Sequence, residues 1–414
     1  PRVPPYRGPG RPEAASYLER LTDCIAIELG KPPEDIRRVN FIPPSAFPYA
    51  APTGQNYDSG EYAKALAKSL DLSKYTALRA EQRQRIEKKD RTLLGIGMAS
   101  YVEMCGFGPY ESAMIRVEPS GTVTAFTGAS AHGQGHETSF AQLIADYLGV
   151  DFDQVVVRHG DTSSAPMGFG TGGSRSLVVG GSAMVKAAEK VQERARRIAA
   201  SMLEAAFEDV VVTDGKYHVK GAPQKSLALA QIAEKAYGEG LPPDMEPGLE
   251  ATEYFRPPQL VYPFGAHVAV VEVDRDTGRI DLRSYVSVDD CGTRVSPMLV
   301  DGQVHGGIAQ GVAQSLLEEV VYDSEGQLVT GSLMDYAIPR AEDLPFFVTD
   351  QTVTASPFNP LGAKGIGEAA TIGSTPAIVN AVVDALRPFG VRHLDMPLRP
   401  ERVWRAMQNG AKGS

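Results

Sequence analysis

The apolar positions at the start of the chain recur at helical spacing. Ala15, Leu18, Leu21, Ile25 and Leu29 lie three or four residues apart, and Gly30 then Pro32-Pro33 stop the run, which predicts a helix over 12–29. A Pro- and aromatic-rich loop covers 40–56, a short helix 61–72, and the charged stretch 80–91 reads as a solvated helix or a linker. The period then changes to two. Residues 94–103, 112–118 and 122–127 alternate as strands, with Pro119-Ser120-Gly121 as a turn. A helix with Phe140, Leu143, Ile144, Tyr147 and Leu148 on one face follows, then a strand at 154–158 and a long Ala-rich helix over roughly 181–207. A strand pair about Asp214-Gly215 precedes a hairpin over 266–288 that turns at Asp274–Gly278. The last helices are expected at 304–319 and 373–386, the second with Thr375 as cap and Pro376 at its first position. Strands and helices mix without a βαβ rhythm, so the expected class is α+β.

Composition narrows the function classes. A chain of 414 residues can bury two or three domains' worth of core, and 43% hydrophobic with 22% charged residues is ordinary for a soluble globular protein. The net charge of −10 and the scattered Lys and Arg leave no basic stripe for nucleic acid. No apolar run reaches the length of a membrane span. The start, Pro1-Arg2-Val3-Pro4-Pro5, is no signal peptide and lacks Met, which a processed end, a cut end and a choice of numbering fit alike. Cys24, Cys105 and Cys291 lie far apart without a Cys-x-x-Cys, which excludes a disulfide framework and an iron–sulfur cluster held by this chain alone. Cytoplasm is the default compartment.

The 42 glycines change the picture, because they cluster at 132–136, 168–173, 302–307 and 362–368, each at or before an expected helix start. Helix starts offer free N–H groups and partial positive charge, and glycine lets a phosphate or flat ring reach that backbone. Each loop alone reads rather as a turn or cap than as a ligand site, since Gly is the default turn residue. Gln or Lys beside Gly in three of them suits a large phosphate-bearing cofactor held from several sides. Gly168, Gly170 and Gly173 match Gly-x-Gly-x-x-Gly by spacing, yet no compact βαβ unit surrounds them. His132 and His136 are spaced like a zinc pair, but two glycines intervene and no His-Glu-x-x-His is present. Glu368 follows Lys364-Gly365-Ile366-Gly367 and precedes an apolar stretch. It reads either as a partly desolvated base with a raised pKa or as a capping carboxylate.

Lys364-Gly365-Ile366-Gly367-Glu368 with Pro376-Ala377-Ile378-Val379-Asn380-Ala381 resembles the catalytic-glutamate segment of the molybdenum hydroxylases, the xanthine dehydrogenase, aldehyde oxidase and aerobic carbon monoxide dehydrogenase family. Four further segments resemble that family's motifs in order: Tyr6-Arg7-Gly8-Pro9-Gly10-Arg11, Gly133-Gln134-Gly135-His136-Glu137-Thr138, Gly172-Gly173-Ser174-Arg175-Ser176 and Asp301-Gly302-Gln303-Val304. The resemblance implies elongated mixed α/β molybdopterin-binding subdomains: the end of a first one over 1–90, a second over 91–350, and a carboxyl-terminal segment over 351–414 carrying the Glu loop. It implies a molybdenum–molybdopterin cofactor, of the cytosine dinucleotide form in bacteria, with no side chain ligating the metal. Gln134, Gln303 and Ser176 would hydrogen-bond the cofactor. Backbone at Arg7, Gly173 and Ser174 would pack around it, with Gly133, Gly135, His136, Arg175, Asp290, Cys291 and Gly367 as further contacts. Glu368 would take a proton while the cofactor carries the redox chemistry, hydroxylating an aldehyde or N-heterocycle with water-derived oxygen.

The same resemblance implies partners: a 2Fe–2S protein, an FAD protein, and an arrangement as a dimer of heteromers. The family's upstream stretch, with Gly-Gly-x-Phe-Gly-Gly, is absent, so a further chain would supply the other wall of the pocket. In carbon monoxide dehydrogenase the Tyr-Arg-Cys-Ser-Phe-Arg loop holds copper through its Cys. Gly8 stands at that position, which argues against CO oxidation. Pro9 stands where xanthine-type enzymes pack a Phe on the substrate, and Phe107 reads as the second substrate-facing Phe or as a core residue. Two rival readings remain: a non-catalytic assembly partner that keeps the loops, and a zinc hydrolase using Glu368 and the histidines.

Overall fold

The computed structural model describes residues 5–242 and 244–410. Two four-stranded sheets organise them. The first runs β13 (Phe347–Gln351), β12 (Ile280–Asp290), β11 (Phe264–Asp274), β3 (Thr92–Val102), antiparallel except for the parallel β12–β13 edge. β3 and β11 are buried almost end to end because helices cover both faces. On one side lie α3 (Tyr62–Leu72) and α4 (Tyr75–Lys88), with Tyr62, Leu66, Ile96, Met98, Phe264 and Val268 in one cluster. On the other lie α8 (Pro297–Leu316) and α9 (Ala369–Ala385). Gly95 and Gly97 make the second contact possible. A Cβ on either would run into the α9 backbone at Ala381 or Ala377.

The second sheet runs β10 (Glu250–Phe255), β4 (Glu111–Val117), β5 (Val123–Thr127), β6 (Val155–Arg158), with only β5–β6 parallel. α5 (His136–Leu148) and α6 (Ser182–Met202) pack on it through Phe140, Ile144, Leu148, Met184 and Val191. Beside α6 lie a small antiparallel sheet, β7 (Val210–Thr213), β8 (Lys216–Val219) and β9 (Ala222–Ala228), and α7 (Leu229–Tyr237). The first segment adds α1 (Arg11–Leu29), α2 (Pro33–Asn40) and a two-residue hairpin, β1 (Tyr49–Ala50) with β2 (Asn56–Tyr57). α10 (Pro400–Gly410) closes the described chain. The class is α+β, as the pattern implied. No helix among the described residues is long and apolar enough to cross a membrane.

Two helix starts differ from expectation. α8 opens at Pro297 with Ser296 at its cap position, so Gly302-Gln303-Val304-His305 lies inside the helix. Gly307 and Gly311 let α8 meet α9: a Cβ at Gly307 would stand 2.7 Å from the Ala370 Cβ, and one at Gly311 would strike the Ser374 Oγ. α9 opens at Ala369, not at Thr375, and Pro376 sits in its interior. Every residue of α9 is buried, so its sequence shows no amphipathic edge from which a start could be read. The Ala-rich helix starts where expected, behind a wide π turn at Ser176–Gly181, but ends early at Met202, where Glu204 turns left-handed with φ +53° and Ala205 N–H closes on Ala200 O.

The expected borders at 90/91 and 350/351 do not fall at breaks in packing. β13 extends the sheet beyond β12, α9 covers β3 and β11, and α3 covers their opposite face. A sheet apolar on both faces needs both layers, and the layers come from segments on either side of those borders. Within this core, His267 lies 2.8 Å from Ser287 Oγ and 3.0 Å from Asp289 Oδ1, and Tyr101 donates to Asp289 Oδ1 at 2.5 Å. All four are buried beneath α9, and Gly373 packs against the His267 ring. They form a satisfied polar network of the interior.

Candidate cofactor and active site

A cavity of about 600 Å³ opens between the two sheets' helical layers, and four helix starts border it. His136 begins α5, Ser176 begins the π turn leading to α6, and Ser296 and Glu368 occupy the cap positions of α8 and α9; each lines the cavity. Free N–H groups and partial positive charge therefore surround one space, as an anionic ligand requires. Gly133, Gly172 and Gly302 also line it, and a Cβ on any of them would meet nothing within 4 Å. Side chains there would occupy cavity volume. Gly133 has φ +104°, a conformation that favours glycine.

Arg7 braces one wall. Its guanidinium donates to Gly367 O at 2.5 Å, Gln310 Oε1 at 3.0 Å, Gln303 O at 2.9 Å and Gln303 Oε1 at 3.1 Å. The side chain thus ties α8 to the loop before Glu368. Burial lowers the Arg7 pKa, while Glu368 and Glu103 oppose that shift. Gln134 steadies its own loop by accepting the His132 N–H at 2.6 Å. The Ser176 and Thr171 hydroxyls lie 2.8 Å apart. His136 stacks on Phe140, with ring centroids 5.2 Å apart, and burial lowers its pKa so that the ring is neutral. Cys291 also lines the cavity, and burial pushes its thiol pKa up to about 12.

Glu368 stands at the α9 cap position without making a capping hydrogen bond. Its Oε2 is buried with no hydrogen-bond partner, and the Arg11 guanidinium is 3.9 Å away. A capping role would engage that carboxylate on the helix N–H groups, so the geometry separates the two sequence readings and leaves a carboxylate available to the cavity. Its backbone N–H is held instead by Ser174 Oγ, at 3.0 Å.

Arg7, Gly133, Gln134, His136, Gly173, Ser174, Ser176, Cys291, Gln303, Gly367 and Glu368 all line the cavity. Arg175 does not. Its guanidinium is consumed by Glu111 Oε2 at 2.6 Å, Gly170 O at 2.6 Å, Tyr110 O at 2.7 Å and Phe107 O at 2.8 Å. Asp290 is also turned away, accepting from Thr352 Oγ1 at 2.9 Å, Gly292 N at 3.0 Å and Thr354 N at 3.1 Å. Both residues shape the cavity's loops without contacting its space. Gly135 backs onto Leu299, and Pro9 is exposed outside the lining. Phe107 is 38% exposed and lies against Gly173, beside the cavity and outside the interior core.

Sequence reasoning missed Glu103. It lies just beyond β3, is fully buried, and accepts from Ser174 Oγ at 2.8 Å. Burial and the neighbouring Glu368 carboxyl both raise its pKa well above the usual carboxylate range. The available signal was a lone charge within the otherwise uncharged run Leu93–Tyr110. Among the described residues, no three His, Cys, Asp or Glu side chains converge as a metal-ligand set.

Fold and cavity together define a binding domain for a large anionic cofactor held mainly by backbone and amide groups. The pattern of the molybdopterin cofactor-binding domain matches residues 68–345. The chain belongs to this family, that of the large subunits of the molybdenum hydroxylases. It is 43% identical over 408 residues to the carbon monoxide dehydrogenase large chain of Hydrogenophaga pseudoflava, covering 96% of this chain and 51% of that one. The solved Cu,Mo-CO dehydrogenase superposes with a TM-score of 0.94 at 39% identity, over 98% of this chain and 53% of that one. Quinoline 2-oxidoreductase from Pseudomonas putida 86 gives 0.92 at 39% identity, over 97% and 53%. The chain spans about half the length of the relatives it matches. The residues fit a pterin cofactor: glycines leave open volume, Gln134 and Gln303 bring amides to it, and buried His136 Nδ1 and Glu368 Oε2 lack protein partners.

Proposed function

We propose that this chain is the carboxyl-terminal half of the molybdenum subunit of a hydroxylase that oxidises an aldehyde or N-heterocycle with water-derived oxygen. Glu368 is the catalytic base. The observation that carries the proposal is the unpartnered Glu368 carboxylate at the start of α9, facing a glycine-framed cavity. The bound cofactor supplies the oxygen-transfer and redox chemistry. Gln134, Gln303 and Ser176 hydrogen-bond it, and the backbone of Gly173 and Gly367 lets it approach. Arg7 fixes the Gly367 carbonyl and so the loop that aims Glu368. Glu368 takes the proton released as oxygen is transferred.

The cofactor is the cytosine dinucleotide form. The stretch matching the relatives' amino-terminal half supplies the other wall of the pocket, and electrons leave through 2Fe–2S and FAD partners in a cytoplasmic dimer of heteromers. Gly8 argues for a carbon substrate other than CO. Its backbone has φ +92°, and a Cβ there would stand 3.1 Å from both Ile372 Cγ1 and Pro12 Cδ. This loop carries neither a thiol nor room shaped for one. The chain shares its fold with quinoline 2-oxidoreductase nearly as closely as with CO dehydrogenase, TM-score 0.92 against 0.94, and the heterocycle reading accords with Gly8.

The test is metal analysis and turnover of the intact complex. Molybdenum near one per chain, retained in Glu368→Gln with hydroxylation abolished, supports the proposal. Zinc in place of molybdenum, or near-native turnover by Glu368→Gln, overturns it. Oxidation of CO by the native complex would overturn the substrate assignment alone.

A further inference from the structure

Glu103 and Glu368 are far apart in the sequence, and one hydroxyl touches the carboxyl of the first and the backbone N–H of the second. Ser174 Oγ donates to Glu103 Oε1 at 2.8 Å and accepts the Glu368 N–H at 3.0 Å. Ser174 holds this post with φ +54°, a backbone setting unusual for serine, and it packs against Gly365 and Gly367. The second oxygen of each carboxyl, Glu103 Oε2 and Glu368 Oε2, is buried and has no donor. Both side chains thus flank the Ser174 hydroxyl with a buried, unpartnered oxygen, and the charge of the Glu368 carboxyl acts on Glu103. Two ionised carboxylates cannot share such a place, because neither orphaned oxygen would have a proton to accept. One proton between them satisfies both.

We propose that Glu103 is a positioning residue that holds this proton and donates it in a hydrogen bond to the ionised Glu368, keeping the base aimed and receptive. The inference rests on Glu368 being the base. During turnover an O–H bond of the proton donor in the cavity breaks, its electron pair stays on the donor oxygen, and the proton bonds to Glu368. Both carboxyls are then neutral, and release of one proton to water restores the pair.

The surroundings favour a single negative charge. Arg11 on α1 is 3.9 Å from Glu368 and acts on Glu103, and Arg7 feels both carboxyls. Tyr101 on β3 and Cys105 beyond it also face Glu103, and burial raises the pKa of each so that both stay neutral. The shared charge thus meets two guanidinium groups and no other anion among the groups that act on it. Burial and Glu368 together hold Glu103 in its acid form, as a donor requires.

The test uses Glu103→Gln and Glu103→Ala in the intact complex. Gln keeps a neutral donor, so kcat should stay within about threefold of native, and any alkaline limb due to Glu103 ionisation should vanish. Ala removes the donor, so kcat should fall by about tenfold or more and the acid limb of kcat/KM should move to higher pH. Equal losses in both variants, or native pH profiles in both, overturn the proposal. Infrared spectroscopy of the same complexes gives a readout without turnover. The band of a buried protonated carboxylic acid should be present near neutral pH in the native complex and absent from Glu103→Gln. In Glu368→Gln it should remain but titrate at lower pH. A band unchanged by Glu103→Gln overturns the pair. An active Glu368→Gln enzyme would remove the base assignment and leave the infrared pair standing, so the two readings fail separately.

Discussion

Lys364 and Asp58 form an ion pair at 3.7 Å with both side chains fully buried. Lys364 Nζ also donates to Ser59 O at 3.0 Å and Thr354 Oγ1 at 3.2 Å, and stands 5.2 Å from the Phe264 ring centroid. The loop that aims Glu368 is thereby stapled to the segment before α3. Lys364→Met removes the cation and leaves Asp58 buried and uncompensated, which costs about 3–5 kcal/mol. The expected result is a clearly lower thermal midpoint, with part of the loss recovered by adding Asp58→Asn. A midpoint within a degree or so of native would show that water reaches Asp58.

Glycines of α8 divide into two kinds, and substitution should separate them. Gly311 packs on α9, where a Cβ would strike the Ser374 Oγ, so Gly311→Ala should destabilise the fold by about 1–3 kcal/mol. Gly302 lies in the same helix, lines the cavity and has open space beyond it. Gly302→Ala should raise stability by about 0.5–1 kcal/mol, since alanine suits a helix better. The same methyl group enters the cofactor's volume, so molybdenum content should fall. Parallel melting curves and metal analysis check both, and unchanged molybdenum in Gly302→Ala would remove that glycine from the cofactor's contact surface.

What the sequence revealed follows from which signals are local. β3, β11 and α5 were legible because period and bounding turns lie within each segment, and the Gly-rich loops flagged the cavity because its walls are backbone. α9 was misplaced because a fully buried helix has no polar face to mark its start. Arg175 and Asp290 stand next in the chain to Ser174 and Cys291, which line the cavity, yet their side chains turn to Glu111 and Thr352, and chain position does not encode that direction. Glu103 was passed over because its partners, Ser174 and Glu368, lie 71 residues away or farther. Only the pairing of β3 with β11 and the seating of α9 across them bring that carboxyl to the site.

The neutral His136 gives the fold a pH dependence whose sign is fixed. Burial lowers its pKa below the ordinary 6.5, with His132 and His159 adding repulsion and Glu137 opposing it. Below pH 6.5 the unfolded chain binds a proton here that the folded chain does not, so stability is present above that value and declines as pH falls. His136→Asn lacks the titrating group. It should be less stable than native at pH 8 through loss of the ring stacked on Phe140, yet lose less on moving from about pH 7 to about pH 5. Denaturation midpoints measured across that range would show parallel slopes if His136 protonates freely in the folded state.

Arg175 offers the test that separates a cofactor contact from a structural one. Its ion pair with Glu111 at 2.6 Å is almost completely buried, and the remaining guanidinium hydrogens go to the carbonyls of Phe107, Tyr110 and Gly170. Removing the cation leaves the Glu111 carboxylate buried beside Gly128 and Gly168, so Arg175→Met should cost about 3–5 kcal/mol and release the loop that carries Gly172 and Gly173. Molybdenum content should fall with it, which a direct cofactor contact would also produce. The double variant Arg175→Met with Glu111→Leu distinguishes the two. Replacing both charges by apolar groups removes the stranded carboxylate, so melting temperature and molybdenum content should recover together. Recovery of the melting temperature with molybdenum still absent would return Arg175 to the cofactor's contacts.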